Sequence, residues 1–351
     1  MTRKNQQLTL TQLPSKEEQW NTENLFGNVQ SEELLTVSAL LRKENICKAL
    51  QKFYTKQMEI PNGLHTFLAV NCVINAILSV TAIVLNIITI QALKKTSSLS
   101  KTFKTLLLSL AISDVGVGLV VQPLYVASHV MMIEQNTNNI AFDTVEEAYF
   151  IQSILFALAS FFGVFALTVD RFLAIHLHLR YQQLVTYKRV VSVVISVWLL
   201  SALISSLSSS MGTVALSIVL GTILVVCVVI TGILYCKIYA AVRHHTNQIH
   251  ALQVQQEAQN EDMANVARQI KTALATFYLY VVFLACYLPI SCVLFAKING
   301  KTALLSHLRD FTLTLVHLNS SLNPLIYCWK MRYIRQTVMD ILRNILAIGP
   351  H

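Results

Sequence analysis

The sequence has few charged residues: only 13% of its 351 residues are Asp, Glu, Lys or Arg, whereas 54% are hydrophobic. A soluble domain of average composition carries roughly 25% charged residues, so a water-facing surface is hard to build from this chain. The chain also has no Cys-x-x-Cys pair, and most of its seven cysteines lie inside apolar stretches. The pattern therefore predicts neither a zinc site nor a disulfide scaffold.

Dense runs of basic residues are also missing, although the net charge is +9. The lysines and arginines stand in short blocks between apolar stretches, which is typical of membrane proteins and does not indicate nucleic-acid binding. The first twenty residues are polar and lack a basic segment followed by an apolar core, so we expect no cleaved signal peptide. Residues 31–58 have a helical apolar period that predicts a short amphipathic helix, either a lid or a solvated tether.

Seven apolar stretches are each long enough to cross a membrane as a helix, since about 20 apolar residues span roughly 30 Å of hydrocarbon. Each must be helical because a lipid-exposed backbone has to satisfy its own hydrogen bonds. The predicted fold class is all-α membrane, a seven-transmembrane helix bundle. The predicted spans, numbered one to seven, cover residues 64–93, 104–131, 146–175, 188–209, 212–241, 270–297 and 303–328.

Basic residues cluster after spans one, three, five and seven, and the alternate loops are mostly acidic or neutral. The positive-inside rule assigns the basic loops to the cytoplasm. We therefore expect the N-terminus outside the cell and the C-terminus inside.

Asp114 stands in the middle of span two, where an ionisable side chain costs at least about 2.5–3.5 kcal/mol and is treated as functional by default. Carboxylate, hydroxyl and amide oxygens suit a small hard cation such as Na⁺, or a proton that comes and goes with conformational state. A polar cluster that only holds helices together is the alternative. The predicted sodium site comprises Asp114, Ser160, Asn319, Ser320 and Asn323, with Asn86 as a further partner.

Asp170-Arg171-Phe172 lies at the cytoplasmic end of span three. A guanidinium keeps its proton, so Arg171 must pair with Asp170 or find acceptors elsewhere, which gives it two arrangements. In isolation the arginine would be interpreted as an interfacial anchor. Pro289 in span six and Pro324 in span seven favour the functional interpretation, because each removes a backbone hydrogen bond and can kink its helix.

Together these residues resemble the rhodopsin-like (class A) family of G-protein-coupled receptors over about residues 64–345. The matching markers are Asn86, Asp114, Asp170-Arg171-Phe172, Trp198, Tyr235, Cys286 to Pro289 and Asn323 to Tyr327. The resemblance implies a plasma-membrane receptor with an outer ligand pocket, a sodium site at Asp114 and an inner crevice for a heterotrimeric G protein. The implied signalling switch comprises Asp170, Arg171, Tyr235, Phe283, Tyr287, Pro289, Asn323, Pro324 and Tyr327.

The resemblance also predicts the domain organisation. Residues 1–63 would be an extracellular segment, partly helical or disordered, and residues 64–328 would form the bundle. Residues 329–351 would contain an amphipathic eighth helix on the lipid surface, over Trp329 to Arg343, and a short cytoplasmic tail.

The sequence departs from the family pattern at several positions. The usual outer disulfide cannot form, because Glu146 stands at one of its ends and the loop 205–212 has no cysteine, and Cys227 replaces the proline of span five. In lacking this disulfide and this proline, the chain resembles melanocortin, cannabinoid and lysophospholipid receptors. The segment after the Asp-Arg-Phe motif is similar to that of adenosine receptors. Tyr287 replaces the switch tryptophan. Gln269 replaces an acid that pairs with the span-three arginine in many relatives, so we expect a weak inactive lock and appreciable basal signalling.

The family positions also predict a ligand pocket. Ser153 replaces the aspartate of amine receptors, which argues against a monoamine, and His317 replaces the lysine of opsins, which excludes a retinal Schiff base. Leu294 replaces an asparagine of adenosine receptors, so peptide, lipid and nucleoside-like ligands all stay open, and His317 could equally be a core histidine. The predicted lining is Tyr125, His129, Tyr149, Ser153, Ala157, Tyr287, Ser291, Leu294, Leu313 and His317.

A membrane transporter or channel is the main alternative, because it would also carry polar groups inside the membrane. Inverted repeats or paired breaks in matching halves would favour it, and the sequence shows neither. An enzyme would need a nucleophile, a base or a metal cluster. The histidines His244, His245 and His250 lie in a polar loop without carboxylates at ligand spacing, so no enzymatic activity is expected.

Overall fold

The computed structural model describes residues 62–177, 180–252, 260–299 and 303–347. The amphipathic helix predicted within residues 31–58 lies outside the described residues. The described helices belong to one compact unit, Asn62–His351. The extracellular assignment of residues 1–63 stays a prediction.

The seven predicted spans are all helical, which confirms the predicted fold class. Each observed helix includes the predicted span or differs from it by one residue at an end. In chain order the helices are Asn62–Lys95, Lys101–Ile133, Ile140–Leu177, Tyr187–Ser208, Thr213–Leu252, Asn260–Asn299 and Ala303–Lys330. We keep the names span one to span seven for them.

Six of these helices are long and apolar enough to cross a membrane by length and composition, and span seven is the one that is not. Span seven is less apolar because it carries many polar side chains on the face that packs inside the bundle. The buried polar residues of span seven are Asp310, Thr312, Thr314, His317, Asn319, Ser320, Ser321 and Asn323. A helix with such a face crosses a membrane only within a bundle that shields it.

Span three is the central helix, since it packs against spans two, four, five and six. Span one packs against spans two and seven, and span seven packs against span six, so the helices form a closed ring around the polar residues. Apolar side chains point outward from the bundle, as at Val73, Ile77, Leu199 and Val225. Such an outer surface suits a hydrocarbon environment.

Span two contains a π-helical turn, Val117–Val121, that the sequence analysis did not predict. Pro123 follows directly at the start of the next α-helical segment, Gln122–Ile133. A proline ring clashes with the carbonyl of the preceding turn, and a local π-turn widens the helix there. Gly118 within this turn approaches span one closely, because its carbonyl oxygen accepts a hydrogen bond of 2.8 Å from Ser79 Oγ.

The surface helix after span seven begins later than predicted. Trp329 and Lys330 belong to the helix of span seven, and the surface helix runs over Arg332–Ala347. Ile334 and Ile341 on its apolar face are buried. The Thr337 hydroxyl lies 2.9 Å from that of Thr96 at the end of span one. The helix is therefore packed against the inner end of the bundle.

Candidate functional site

The C-terminal end of span three, predicted to face the cytoplasm, holds a buried ion pair. Arg171 Nε donates to Asp170 Oδ2 over 3.0 Å, and both side chains are less than one-tenth exposed. Of the two arrangements that the sequence allows for Arg171, this structure contains the one in which the two neighbours pair. An ion pair in such a poorly solvated position needs further hydrogen bonds to offset the loss of water.

Thr272 of span six supplies one of those bonds. Arg171 Nη1 donates to Thr272 Oγ1 over 2.9 Å, and the guanidinium also lies 4.1 Å from the ring centre of Phe103. The link between spans three and six is therefore made by a hydroxyl. The Gln269 side chain lies outside the described residues, so its predicted weakening of the lock stays a prediction. Thr272 follows Gln269 by three residues, and this i, i+3 relation on one helix face could have identified it.

Tyr181 lies in a short helix after span three, Tyr181–Leu184, and completes the Asp170 site. Its hydroxyl donates to Asp170 Oδ1 over 2.7 Å and lies 3.3 Å from the hydroxyl of Thr102 in span two. Burial, together with the negative charge of Asp170, raises the pKa of Tyr181 to about 12. The phenol therefore remains a hydrogen-bond donor throughout the physiological pH range.

Aromatic rings connect this inner site with the middle of the bundle. The ring of Tyr287 stacks on Phe283 at 4.0 Å, and Phe283 lies 5.2 Å from Phe161 of span three. Tyr235 of span five places its hydroxyl 3.1 Å from that of Thr168 in span three. The smaller ring at position 287 thus stacks on Phe283, and its role in the predicted switch stays a prediction.

The two prolines of the predicted switch lie inside continuous helices, Pro289 in span six and Pro324 in span seven. Tyr327, one turn after Pro324, is almost fully buried. Its hydroxyl has no hydrogen-bond partner among the described residues.

Asp114 is fully buried at the centre of the bundle. Its Oδ2 accepts a hydrogen bond of 2.8 Å from Asn323 Nδ2, and the Ser320 hydroxyl lies beside the carboxylate. Asn86 of span one donates to the Ser320 carbonyl oxygen over 2.9 Å, so spans one, two and seven are joined here. The structure therefore brings Asp114 together with three of its predicted partners.

Four oxygens of Asp114 and its predicted partners are buried without a hydrogen-bond partner among the described residues. They are Asp114 Oδ1, Ser160 Oγ, Asn319 Oδ1 and Asn86 Oδ1. Buried polar atoms normally find a partner in the protein, in ordered water or in an ion. Carboxylate, hydroxyl and amide oxygens are the ligands of hard cations, so this donor set fits Na⁺.

Tyr125 is the centre of the predicted outer pocket. It is fully buried and stacks on His129 at 3.9 Å. Tyr149 of span three and His317 of span seven contact the same ring edge-on at 5.5 Å and 5.2 Å. Four of the predicted pocket residues thus form one aromatic cluster between spans two, three and seven.

Polar residues of span one, which the sequence analysis missed, adjoin this cluster. His317 Nδ1 lies 2.7 Å from Asn75 Oδ1, and Asn75 Nδ2 donates to Thr314 Oγ1 over 2.9 Å. Thr314 donates in turn to Asn71 Oδ1 over 3.1 Å. The signal in the sequence was the pair of asparagines four residues apart in an apolar span, which places both on one helix face. His317 is a hydrogen-bonded histidine at the edge of the cluster.

Two charged residues that the sequence analysis also left out lie near the N-terminal end of span seven, which is predicted to face outward. Arg309 Nε donates to Asp310 Oδ1 over 3.1 Å, and His129 Nε2 lies 3.9 Å from the same oxygen. Asp310 is buried, whereas about a third of the Arg309 side chain is exposed. Asp310 could have been identified from the sequence, because it is an ionisable residue within a predicted membrane span.

The remaining predicted pocket residues are not part of the aromatic cluster in the contacts described. The hydroxyls of Ser153 and Ser291 donate to carbonyl oxygens of their own helices, those of Phe150 and Tyr287. Tyr287 itself stacks inward on Phe283. Leu313 is half-buried on span seven, one turn before His317. Their predicted ligand-binding role stays a prediction.

A comparison with known families decides what kind of bundle this is. The model of the 7 transmembrane receptor (rhodopsin family) matches residues 85–215 and 208–327. The chain belongs to the rhodopsin family of 7 transmembrane receptors. The match covers more than half of the chain and includes span seven, the least apolar helix. This receptor is therefore a multi-pass membrane protein, and the resemblance inferred from its motifs is confirmed.

Characterised receptors are similar to this one along most of their length. The adenosine receptor A3 of Ovis aries is 25% identical over 304 residues, which cover 79% of this chain and 90% of that receptor. The melanocortin receptor 4 of Danio rerio is 24% identical over 292 residues, 80% of this chain and 86% of that receptor. The adenosine receptor A2a of Canis lupus familiaris is 24% identical over 302 residues, 76% of this chain and 70% of that receptor. Adenosine and melanocortin receptors are two of the groups that the sequence analysis named.

Proposed function

We propose that this receptor binds an extracellular ligand in the outer half of its bundle and activates a heterotrimeric G protein at the inner end of span three. The observation that carries the proposal is the arrangement of Arg171, which pairs with Asp170 and binds Thr272 of span six. A hydrogen bond between spans three and six keeps the inner ends of these helices together. Its release would let span six move and open a crevice for a partner protein.

The ligand site proposed is the cluster around Tyr125. It offers aromatic faces and also buried polar atoms without a partner among the described residues, including Tyr149 OH, Asn71 Nδ2 and both polar atoms of Gln122. Ligand pockets combine an apolar lining with a few such polar groups. The ligand class stays open among nucleoside-like, peptide and lipid molecules, as the sequence analysis left it.

A sodium ion at Asp114 is the proposed allosteric ligand. Asp114, Ser160, Asn319, Ser320 and Asn323 would hold it, and its charge would offset that of the buried carboxylate. These residues belong to spans two, three and seven, so the ion would favour the packing of these helices described here. The positive-inside pattern supports a plasma-membrane orientation with the N-terminus outside and the C-terminus in the cytoplasm.

The test is to measure second-messenger levels in cells that express the wild type or Arg171→Ala at equal surface density. We expect basal output above that of untransfected cells for the wild type. The variant also loses the bond to Thr272, but its output should fall near background because the G protein would lose the Arg171 side chain in the open crevice. Arg343→Ala is the control, because about three-quarters of the Arg343 side chain is exposed on the surface helix. Equal messenger levels with and without the receptor, combined with a solute flux that depends on Asp114, would overturn the proposal.

A further inference from the structure

His129 of span two is held in one tautomer by its own helix. Its Nδ1 lies 2.9 Å from the carbonyl oxygen of Tyr125, one turn earlier, and 3.2 Å from the Ser128 hydroxyl. A carbonyl oxygen only accepts hydrogen bonds, so Nδ1 must carry the hydrogen of the pair. The ring stacks on Tyr125, which fixes its orientation.

The other ring nitrogen therefore faces a carboxylate with its lone pair. In the neutral tautomer Nε2 is an acceptor, and it lies 3.9 Å from Asp310 Oδ1 of span seven. The two side chains are only 6% and 7% exposed, so bulk water does not separate the two acceptors. Nε2 also has no hydrogen-bond partner among the described residues. The two acceptors repel each other at this distance, and a proton on Nε2 would turn the repulsion into an attraction.

The charged groups around His129 are two acids, Asp310 and Glu146, and one base, Arg309. Arg309 on span seven binds Asp310 over 3.1 Å, and Glu146 of span three acts on Arg309. The other titratable groups around His129 carry no charge in their ordinary neutral forms. They are Tyr125 on its own helix, Tyr149 on span three, His317 on span seven and Cys72 on span one. With neutral His129 this group has a net negative charge, which a single proton neutralises.

We propose that His129 and Asp310 form a binding site for an extracellular proton that couples span two to span seven. Protonation turns the repulsive contact into a buried ion pair between the outer ends of the two helices. Histidine is the side chain whose ordinary titration range falls between pH 5 and 8. A proton fits better than a metal ion, because within the described ranges no group of three His, Cys, Asp or Glu side chains could hold a metal.

The proton would affect signalling by stabilising the conformation in which His129 faces Asp310. This step rests on the proposed function. The same structure contains the His129–Asp310 contact and the Arg171–Thr272 bond, so a proton bound at the first stabilises the arrangement that has the second. A ligand shifts a conformational equilibrium by its preference for one state. Extracellular acid would therefore lower basal output.

One experiment measures the site directly and another measures its effect. Purified receptor is heated at pH 8 and at pH 6, and basal messenger output is measured in cells at the same two pH values. For the wild type we expect a midpoint about 2–4 °C higher at pH 6 than at pH 8. We also expect basal messenger output to be at least about threefold lower at pH 6 than at pH 8. The binding of one proton can change the equilibrium by at most about tenfold per pH unit, so this change is within the limit.

The variants His129→Gln and Asp310→Asn should lose both pH effects, since neither can form the ion pair. His307→Gln is the control, because His307 lies near the outer end of span seven with its ring against Phe67 and should keep both effects. The same pH dependence in His129→Gln as in the wild type overturns the site. A pH effect that a metal chelator abolishes also overturns it and indicates a metal instead. A wild type that signals and shows the stability shift alone overturns the coupling, whereas a wild type without output at any pH contradicts the proposed function.

Discussion

Arg171 of span three and Thr272 of span six are joined by a hydrogen bond of 2.9 Å, although 101 residues separate them in the chain. Thr272 lies about one turn after Gln269, the position at which many relatives carry an acid. A hydroxyl accepts one bond from the guanidinium without a charge of its own. The link between the two helices is therefore weaker than an ion pair and easier to release.

The first prediction concerns this bond. Thr272→Val keeps the shape of the side chain and removes the acceptor. A hydrogen bond to a charged group contributes about 1.5–3 kcal/mol, so the equilibrium should move toward the open state by about tenfold or more. We expect a clear rise in basal messenger output at equal surface density.

The control for this prediction is Thr222→Val on span five. Thr222 is exposed and bonds only to the Ile218 carbonyl oxygen of its own helix in the contacts described. Its output should equal that of the wild type. Unchanged output in Thr272→Val would show that the bond does not restrain the receptor.

A second prediction concerns Tyr181. Tyr181→Phe leaves one oxygen of the buried Asp170 without its donor, which should cost about 1–3 kcal/mol of stability. The pKa of about 12 lies above the ordinary value near 10, so the protonated phenol is the form that folding favours. Its contribution should be constant from pH 6 to about pH 9 and decline as the pH rises toward about 12.

Thermal denaturation of the purified receptor across this pH range measures the effect of Tyr181→Phe. Tyr187→Phe is the control, because Tyr187 at the start of span four is 55% exposed. A stability difference that grows with pH between 6 and 9 would contradict the assignment of Tyr181 as the donor.

A third prediction tests the proposed sodium site. With chloride held constant, replacing Na⁺ by a bulky organic cation should raise the basal output of the wild type by about fivefold, the low end of allosteric coupling. Asp114→Asn removes the carboxylate charge and should respond equally to both cations. Asp143→Asn changes an exposed acid of span three and should behave as the wild type does. If Asp114→Asn still responded to Na⁺, the ion would have to bind elsewhere.

A fourth prediction concerns the approach of spans one and two at Gly118. A Cβ atom at this position would lie 2.8 Å from Ile83 Cγ1 and 2.9 Å from the Ser79 backbone oxygen. Overpacking of this kind costs about 1–3 kcal/mol, so Gly118→Ala should lower the thermal midpoint and the surface expression. Gly221→Ala is the matched control, since nothing lies within 4 Å of its added Cβ. Equal midpoints for the two variants would show that span two can shift to accept the methyl group.

The sequence predicted the helices well because each is determined by its own composition. A hydrocarbon environment requires about 20 apolar residues per helix, and that count can be made along the chain. The motifs around Asp114, Arg171 and Pro324 also predicted the family, since their order along the spans is a linear property. The π-turn in span two was missed because Pro123 was not used as a signal for it.

The sites were predicted only in part, because the sequence does not show how each helix is rotated about its axis and so which side chains face each other. The sequence alone determined seven helical spans, a central carboxylate and an arginine that must pair. Only the tertiary structure decided that Arg171 binds Thr272, that His317 meets Asn75 across 242 residues, and that His129 faces Asp310. Such contacts depend on which faces of two helices pack together, and packing is a property of the whole bundle rather than of any one span.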